Sequence, residues 1–413
     1  MSKPFSPEDT THLADDVKWL LLEGGSYLDA PDLGASVLDL VQGFTSRFLS
    51  LPGEHARTAH TLWCAHTWLM PCWEHTPRLL FVSPEAACGK TRSLIVTKHL
   101  VPRADHVADL TPAALYHSID EAMKFKGGRP TILFDEFDTV FGTAESGNRK
   151  QNEDMRRLIN AGHDRSERVI RKIGKSTKRF QVFSPMALAG KMAIYDVPET
   201  VRSRSITIPM QRRKPGEEIE RWVRRESVVE AELLRWLLQC WAELVHPYAL
   251  EYVRPGYPVL PKEIEDRDAD CWEPLLALAE IAGGDWPERA QRSSVAHVAQ
   301  DGVKATPSEG IELLTDIQSI FEKRQVKVIF TAELLDELTK LDSRWRRFNG
   351  RKLARLLHSY GVRETNRDQR ISGVVKKGYR AEYFVDAWSR YLPPRATSAT
   401  SAQSATDRSG NGD

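Results

Sequence analysis

One segment near residue 80 restricts the fold of this chain more than any other. It consists of the apolar run RLLFVS at 78–83, a short loop, and the triplet Gly89-Lys90-Thr91, which opens the helix-like stretch TRSLIVTKHL. A strand, a tight loop ending in Gly-Lys-Thr and a helix together surround phosphates with backbone N–H groups. The segment therefore predicts a phosphate-binding loop inside an α/β fold.

The loop departs from the pattern G-x-x-x-x-G-K-[ST] at its first position. Pro84 stands where the first glycine is expected, but Gly89, where the backbone approaches a phosphate, is retained. We expect the Lys90 ammonium to contact the β- and γ-phosphates and the Thr91 hydroxyl to bind Mg²⁺. Cys88 is expected to be partly exposed inside the loop. The predicted nucleotide-binding residues are Ser83, Cys88, Gly89, Lys90, Thr91 and Arg92.

A second motif lies further along the chain, where the apolar run TILF at 131–134 ends in Asp135-Glu136. Asp135 is expected to complete the Mg²⁺ shell, and Glu136 to polarise the attacking water. Taken singly, Lys90 could be a turn lysine and the acidic pair could simply end a strand. In this order they predict a site that uses ATP and Mg²⁺, with Lys90 and Glu136 as catalytic residues.

The distribution of apolar runs predicts the fold class. RLLFVS, TILFD, FQVFSPMALAG and RSITIPM alternate with helix-like segments, which is typical of an α/β protein with a parallel, doubly wound sheet. The predicted regions are an N-terminal helical region at 1–75, a P-loop ATPase core at 76–215, a helical lid at 216–300, a C-terminal winged helix at 311–393 and a disordered tail at 394–413.

Basic residues are concentrated near the carboxyl terminus. Between residues 344 and 380 there are twelve lysines and arginines against two acidic residues, in a chain whose net charge is +1. Three helices followed by a hairpin are typical of a winged helix, which places its third helix in the major groove. A protein-docking module is the alternative, but it would carry mixed charge. The predicted DNA-binding residues here are Arg351, Lys352, Arg355, Arg370, Lys376 and Lys377.

A second basic stretch, RSERVIRKIGKSTKR at 165–179, lies between the acidic pair and the next strand. Gly174 suits the tip of a hairpin, and Arg168, Arg171 and Lys172 are expected to grip the backbone of a nucleic-acid strand. A solvated surface segment is the alternative interpretation.

The rest of the composition limits the cellular context. Five scattered cysteines do not indicate a secreted disulfide framework, and no apolar run approaches the length of a membrane span. The first residues carry no signal-peptide pattern, so a reducing cytoplasm is expected. The cluster Cys64, His66, Cys72 and His75 could suggest zinc, but its spacing favours a packed apolar helix.

Several stretches together resemble a known family. SPEAACGKTR, TILFDEFD, LINAGHDRSERVIRK, PETVRSRSITIPMQRR and DRDADCWEPLLALAEIAGGDWPERA are similar to a family known mainly as a domain of unknown function, found in actinobacteria, their phages and plasmids. Its members are often fused to primase modules and look like a branch of the AAA+ and helicase-type P-loop ATPases. The resemblance covers roughly residues 45 to 392.

The resemblance implies further roles. Gly89, Lys90 and Thr91 match the Walker A signature, and Asp135 and Glu136 match Walker B. Arg204 matches an arginine before the last core strand, which in such ATPases completes the site of a neighbouring subunit; Arg202 is the reserve candidate. Ser184 is the candidate for the polar sensor that ring ATPases carry at a strand end, and a buried serine without that role is the alternative.

These implications lead to a predicted function. The chain is expected to be a DNA-engaging, ATP-hydrolysing ring motor of helicase type, acting in replication of a phage or mobile element alongside proteins such as a primase or helicase. One alternative is a nucleotide-switched initiator or helicase loader that binds DNA without unwinding it. The other is a transcription regulator gated by ATP.

Overall fold

The computed structural model describes residues 7–22, 32–124, 128–141, 149–250, 258–304, 309–362, 367–371 and 373–392. The chain divides into two compact units, Met1–Ala305 and Thr306–Asp413. The predicted tail at 394–413 lies outside the described residues.

A parallel sheet forms the centre of the first unit. Its described strands and the hairpin beside it are β1 (Arg78–Val82), β2 (Ala104–Val107), β3 (Thr131–Phe134), β4 (Arg168–Ile173), β5 (Ser176–Gln181), β6 (Met186–Gly190) and β7 (Ser205–Pro209). The sheet has the order β2-β3-β6-β1-β7, and every neighbouring pair is parallel. The predicted parallel sheet is therefore confirmed.

Helices surround this sheet. They are α1 (Pro7–Leu22), α2 (Leu33–Phe48), α3 (Glu54–His66), α4 (Lys90–Lys98), α5 (Pro112–Lys124), α6 (Asp138–Phe141), α7 (Arg149–Ala161), α8 (Glu199–Arg202), α9 (Arg224–Ala249), α10 (Asp266–Ala282) and α11 (Trp286–Lys304), with a 3₁₀ segment at Thr67–Cys72. The helical character predicted for the segments before and after the sheet is confirmed. Among the described helices, none is both long and apolar enough to cross a membrane.

The side-chain alternation of the buried strands explains why helices cover both faces. On β1, Leu79 and Phe81 belong to one apolar cluster, whereas Leu80 and Val82 belong to another. The first cluster also contains buried residues of α2, α3, α4, α9 and α10, and the second contains residues of α5 and α7. The helices at 33–66 and 224–282 thus share one core with the sheet.

One strand prediction needs correction, and one strand was not predicted. FQVFSPMALAG is not one strand, because β5 ends at Gln181 and β6 begins at Met186 after Pro185, which has no N–H to donate to a ladder. The strand β2, ADHV, was not predicted. It lies at the sheet edge with half-buried side chains, so it lacks the continuous apolar run of the central strands.

The second unit has its own small sheet and core. Its described elements are α12 (Glu309–Arg324), β8 (Val328–Phe330), α13 (Thr331–Leu341), α14 (Gly350–Ser359), β9 (Arg367–Ile371), β10 (Val374–Arg380) and α15 (Val385–Tyr391), with 3₁₀ segments at Ser343–Arg347 and Ala381–Phe384. The antiparallel sheet has the order β8-β10-β9. The predicted three helices and hairpin are confirmed, and β8 is an additional strand.

Candidate functional site

The segment between β1 and α4 has the geometry of a tight loop. Gly89 precedes the first helical residue with φ +83°, a left-handed conformation that favours glycine, and its carbonyl accepts a hydrogen bond from Ser93 N at 2.9 Å. Ala87 also has a positive φ, of 60°. The chain therefore turns sharply at the carboxyl end of a buried strand and enters a helix, as the sequence predicts.

Lys90 lies across this loop rather than pointing away from it. Its Nζ donates to the carbonyl of Glu85 at 2.7 Å. Burial lowers the pKa of Lys90, while the carboxylates of Asp138 and Asp135 raise it and the ammonium of Lys191 lowers it. Asp135 and Asp138 follow β3 and Lys191 follows β6, so two carboxylates and a second cation share this edge of the sheet with Lys90.

The predicted acidic pair follows β3 at the same edge of the sheet. Asp135 N donates to Val107 O, and the Asp135 Oδ1 accepts from Glu136 N, both at 3.0 Å. Glu136 is exposed and has φ +57°, which is uncommon outside glycine and costs energy. Because β6 alone separates β3 from β1, the acidic pair and the loop lie two strands apart on one edge.

Sequence reasoning missed two residues at this edge, Lys191 and Asp138. Lys191 directly follows β6, the strand between the two motifs, and its N–H donates to Asp138 Oδ1 at 2.8 Å. The signal was present in the sequence as a lysine after the buried run MALAG. It was overlooked because the strand was assigned to begin too early.

The assignment of Ser184 as the strand-end sensor is wrong in position. Ser184 precedes β6, is fully buried, and its Oγ donates to Pro130 O. In a parallel sheet the starts of all strands share the edge opposite their ends. Ser184 therefore lies at the amino edge, away from the loop.

The side chains of Ser83 and Cys88 face inward. The Ser83 hydroxyl donates to Cys88 Sγ at 3.2 Å and accepts from Glu85 N at 3.2 Å. Cys88 is only 5% exposed, which corrects the expectation of a partly exposed thiol. The thiol is therefore packed into the protein. Thr91, in contrast, is exposed in the first turn of α4.

A cavity of about 310 Å³ adjoins the loop on the side of Arg92. Its other side is formed by the segment after β7, which Arg47 of α2 holds through an ion pair with Glu220 at 2.8 Å; Arg47 also pairs with Glu230 of α9 at 2.6 Å. The lining residues are Phe48, Leu49, Ser50, Ala87, Cys88, Gly89, Arg92, Met210, Gln211, Arg213, Ile219, Glu220 and Arg221.

Arg204 lies at the amino edge, directly before β7. Its Nη1 donates to Thr200 O at 2.8 Å, and its carbonyl accepts from Arg78 N at the start of β1. Strand β1 has five residues, so its two ends are roughly 16 Å apart. Arg204 and the loop of the same chain therefore lie at opposite ends of β1. The reserve candidate Arg202 ends α8 and is not in the strand.

The basic stretch at 165–179 forms the predicted hairpin. Strands β4 and β5 pair antiparallel, and Gly174 at their turn has φ +59°. Arg168 and Lys172 are exposed, whereas Arg171 is half-buried 5.7 Å from the ring centre of Tyr116. Lys178 attaches the hairpin to α5 through Asp120 at 2.6 Å.

The basic residues of the second unit separate into paired and unpaired groups. Arg344 pairs with Glu312 and Asp342, Arg347 with Glu309, Lys377 with Asp368, and Arg380 with Glu382. Three of these four bases pair with carboxylates outside the segment, which the count of twelve bases against two acids overlooked, whereas Asp368 was included in that count.

The unpaired group lies on α14 and the hairpin β9–β10. Arg351 and Arg355 are exposed one helical turn apart, and Lys352 Nζ lies 4.2 Å from the ring centre of Phe348. Arg370 and Lys376 are exposed on the hairpin. None of these five forms an ion pair with a residue that the structure describes.

The residues of the possible zinc cluster have other partners. His66 Nε2 lies 3.0 Å from Thr76 Oγ1, and His75 lies 3.8 Å from carboxylate oxygens of Asp164 and Asp270. Within the described ranges, no three His, Cys, Asp or Glu side chains are grouped as metal ligands.

Comparison with solved structures gives only distant likeness. The apo structure of the NrS-1 C-terminal region matches with a TM-score of 0.38 at 13% identity, over 80% of this chain and 76% of that chain. The A-form apo structure of the same region gives a TM-score of 0.35 at 12% identity, with the same coverage. Scores at this level do not establish a common fold.

Comparison with sequences is more informative. Residues 209–391 match the family described as "Protein of unknown function (DUF3631)". An uncharacterized 28.9 kDa protein in the xis 5′ region of Saccharopolyspora erythraea is 34% identical over 190 residues, which is 45% of this chain and 69% of the relative. The chain therefore belongs to the DUF3631 family of proteins of unknown function.

Proposed function

We propose that this protein binds and hydrolyses ATP at the carboxyl edge of its parallel sheet and uses the reaction to act on DNA, as a helicase-type motor in replication of a phage or other mobile element. The observation that carries the proposal is the placement of Lys90, Asp135, Asp138 and Lys191 at the carboxyl ends of the neighbouring strands β1, β3 and β6, beside the loop that ends in Gly89. Cations and carboxylates at the end of a tight strand–loop–helix turn are the groups that phosphoryl transfer requires.

In this proposal the loop and Lys90 hold the phosphates. Backbone N–H groups at the start of α4 point towards an anion at the helix N-terminus, and the Lys90 ammonium pairs with the β- and γ-phosphates. ATP would then replace the carbonyl of Glu85 as the partner of Lys90 Nζ. The hard oxygen donors of Thr91 and Asp135 fit Mg²⁺, which would neutralise phosphate charge.

The remaining residues at this edge carry out the chemistry. The exposed carboxylate of Glu136 accepts a proton from the water that attacks the γ-phosphorus, and the bond to the β-phosphate oxygen breaks to release ADP. Lys191 follows the strand between the two motifs, so its ammonium stabilises the charge that grows on the transferred phosphoryl group. The ammonium thus takes the role that the sequence analysis gave to Ser184.

The cavity beside the loop fits the nucleoside portion of ATP. Its volume of about 310 Å³ is within the range of small-molecule sites, and it opens directly onto Gly89 and Arg92. Apolar side chains such as Leu49 and Met210 supply surfaces for a base, and the arginines supply donors for polar groups. Arg92 is thereby assigned to nucleotide binding, as the sequence predicts.

The position of Arg204 supports a shared active site. An arginine at the amino edge cannot reach a nucleotide at the carboxyl edge of the same chain, but it can reach that of a neighbour in a head-to-tail assembly. We therefore propose a ring or open helix of identical subunits, in which Arg204 stabilises transition-state charge in trans.

The second unit is proposed to be a winged helix that binds duplex DNA. Its element order of helix, strand, helix, helix and two-stranded hairpin suits that module, with α14 as the groove-reading helix. The unpaired cations Arg351, Lys352 and Arg355 on α14 supply the phosphate and base contacts. In the first unit, Arg168, Arg171 and Lys172 of the hairpin β4–β5 are proposed to contact single-stranded nucleic acid.

One pair of measurements tests this function and separates it from its alternatives. ATP hydrolysis by the full chain is measured without DNA, with single strands and with duplex, alongside displacement of a labelled strand from a partial duplex. Glu136→Gln protein is the control for contaminating activity. DNA-stimulated hydrolysis with strand displacement supports the motor, and stimulation without displacement identifies an initiator or loader. No hydrolysis under any of these conditions would contradict the proposal.

A further inference from the structure

A cluster of arginines lies at the amino edge of the sheet, near the end formed by β2 and β3. Arg103 precedes β2, Arg129 precedes β3 by two residues, and Arg165 and Arg168 lie at the start of the hairpin β4–β5. Arg103 has φ +43°, which is uncommon and strained for a residue other than glycine. Its backbone is held there by a hydrogen bond from Thr131 N to its carbonyl, at 3.2 Å.

These four arginines lack carboxylate partners. None forms an ion pair within the described part of the chain, and Arg129 Nε is buried without a hydrogen-bond partner there. The guanidinium groups of Arg129 and Arg165 each lie 5.3 Å from the ring centre of Phe183, so two like charges share one aromatic ring. Burial lowers the pKa of Arg129, and the charges of Arg165 and Arg168 lower it further. Such an arrangement is favoured when an anion supplies the missing countercharge.

A cleft of about 620 Å³ opens beside this cluster. Arg103 and Arg129 line one side, and Arg235 and Gln239 of α9 line another. The 3₁₀ segment Thr67–Cys72 contributes apolar surface from Trp68, Met70 and Pro71. Acidic side chains are also present in this region. Glu243 lines the cleft and accepts a hydrogen bond from Gln239 Nε2 at 2.9 Å, and Glu74 lies near Arg165.

We propose that this cleft binds a single strand of nucleic acid, with Arg103, Arg129 and Arg235 contacting its phosphodiester backbone. Cations beside aromatic and apolar surface are the combination that single-strand sites use, because bases and sugars pack on the apolar wall while phosphates pair with arginine. The cleft is far larger than an isolated phosphate requires.

The cleft is also connected to the basic hairpin. Arg129 Nη2 donates to Gln181 Oε1, at the end of β5, at 3.3 Å, and Arg168 begins β4. A nucleic-acid strand that leaves the hairpin at Arg168 can therefore continue past Arg165 and Arg129 into the cleft. This continuity favours an extended polyanion over a small phosphorylated molecule. The inference rests on the nucleic-acid part of the proposed function and is independent of ATP hydrolysis.

The test measures binding of the full chain to a fluorescein-labelled oligothymidylate by anisotropy over a range of salt concentrations. The variant is Arg103→Gln with Arg235→Gln, since both side chains are exposed and their removal leaves the core intact. Each arginine that no longer neutralises a phosphate should reduce the slope of log K against log salt by about 0.7, so the slope should fall by about 1.4 in the double variant. We expect affinity at low salt to fall about tenfold.

Two controls separate folding and surface charge from binding. Arg225→Gln removes an exposed arginine that already pairs with Glu226, and it should leave both affinity and slope unchanged. Arg129→Gln is a further cleft variant, and it should reduce the salt slope by about 0.7, half of the change in the double variant. Thermal unfolding of each protein identifies any decrease in affinity that results from instability rather than from the missing guanidinium.

Each remaining outcome decides the proposal. If a variant of Arg168, Arg171 and Lys172 loses the oligonucleotide while the cleft variants keep full affinity and slope, the cleft proposal is wrong and the proposed function stands. If the intact chain binds no single strand, the cleft proposal and the hairpin assignment both fail, whereas ATP hydrolysis is judged separately. Polyglutamate serves as a polyanion that is not a nucleic acid. If the cleft variants lose binding of oligothymidylate and of polyglutamate equally, the cleft is a general anion site and the assignment to nucleic acid is wrong.

Discussion

The two edges of the parallel sheet differ in their charge distribution. At the carboxyl edge, Asp135 and Asp138 follow β3, while Lys191 and Lys90 follow the next two strands, so carboxylates and cations share this edge. At the amino edge, arginines cluster without ion-pair partners among the described residues. Mixed charge suits a small substrate that arrives with a metal ion and undergoes reaction, whereas unpaired cations suit a long polyanion. The proposed hydrolysis of a nucleotide and the proposed binding of a nucleic acid are thus assigned to opposite edges of one sheet.

The largest effect is expected from Arg204, the arginine that is proposed to act between subunits. Arg204→Ala should reduce ATP turnover about 10³–10⁵-fold, because it removes the cation that a neighbour supplies to the transition state. Arg202→Ala, at the end of α8, is the matched control and should retain most activity. The measurement is steady-state hydrolysis at saturating ATP.

A mixing experiment then shows whether this effect acts between chains. Lys90→Ala and Arg204→Ala proteins, each inactive, should regain partial activity together, because a mixed interface pairs an intact loop with an intact arginine. Full activity in a monomer, or no recovery despite co-assembly, would show that Arg204 does not act in trans.

The next effect concerns the carboxylate that is expected to activate water. Glu136→Gln should lower turnover about 10²–10⁴-fold while ATP binding is retained, since the amide keeps the shape of the side chain and cannot accept the proton. Turnover and ATP affinity are measured on the same preparation. A loss of ATP affinity equal to that in Lys90→Ala protein would contradict the distinct roles of the two residues.

Lys191 and Ser184 provide a comparison between the two ends of β6. Lys191→Ala should reduce turnover about 10²–10³-fold with little change in unfolding temperature, because it removes a donor to the transferred phosphoryl group. Ser184→Ala should leave turnover nearly unchanged. It should lower the free energy of unfolding by about 1–3 kcal/mol, because the acceptor Pro130 O loses its buried donor. Similar kinetic loss in both proteins would contradict the assignment of Lys191 to the site.

A smaller effect is expected in the second unit. Replacement of Arg351, Lys352 and Arg355 by glutamine should weaken duplex binding and reduce its salt slope by about 2.7, that is, about 0.9 for each phosphate that is no longer neutralised. Arg344→Gln with Arg347→Gln is the control, since both already pair with carboxylates and should contribute less. If the control pair weakens duplex binding as much as the α14 variant, the site lies elsewhere in this unit.

The sequence predicted those parts of the fold that produce a local pattern. The buried runs at β1, β3 and β7 are continuous and apolar, and the hairpin at Gly174 combines alternation with a turn glycine. Strand β2 was missed because all four of its residues are half-buried and its sequence, ADHV, carries no such run. Local patterns thus revealed the buried strands, including β7 at one edge of the sheet, and not the half-buried strand β2 at the other edge.

The candidate site was predictable only as far as its motifs are contiguous. Gly89, Lys90 and Asp135 stand in recognisable runs, whereas Lys191 and Asp138 become neighbours only through the order of the strands. Ser184 was selected as the sensor instead of Lys191 because the strand was assigned to begin before Pro185, whereas β6 begins at Met186. The pairing of Arg344 and Arg347 with α12 was likewise invisible to a count along one segment.

Binding of ATP with Mg²⁺ to the intact chain and to Lys90→Ala, measured by calorimetry, tests the central claim most directly. Lys98→Ala is the matched control, because Lys98 is exposed at the other end of the same helix. The account predicts binding by the intact and Lys98→Ala proteins and a loss of about 100-fold or more in affinity for Lys90→Ala, close to the strength of a charge-assisted phosphate contact. Equal affinity in all three proteins, or no binding by the intact chain, would contradict an ATP site at the carboxyl edge of the sheet.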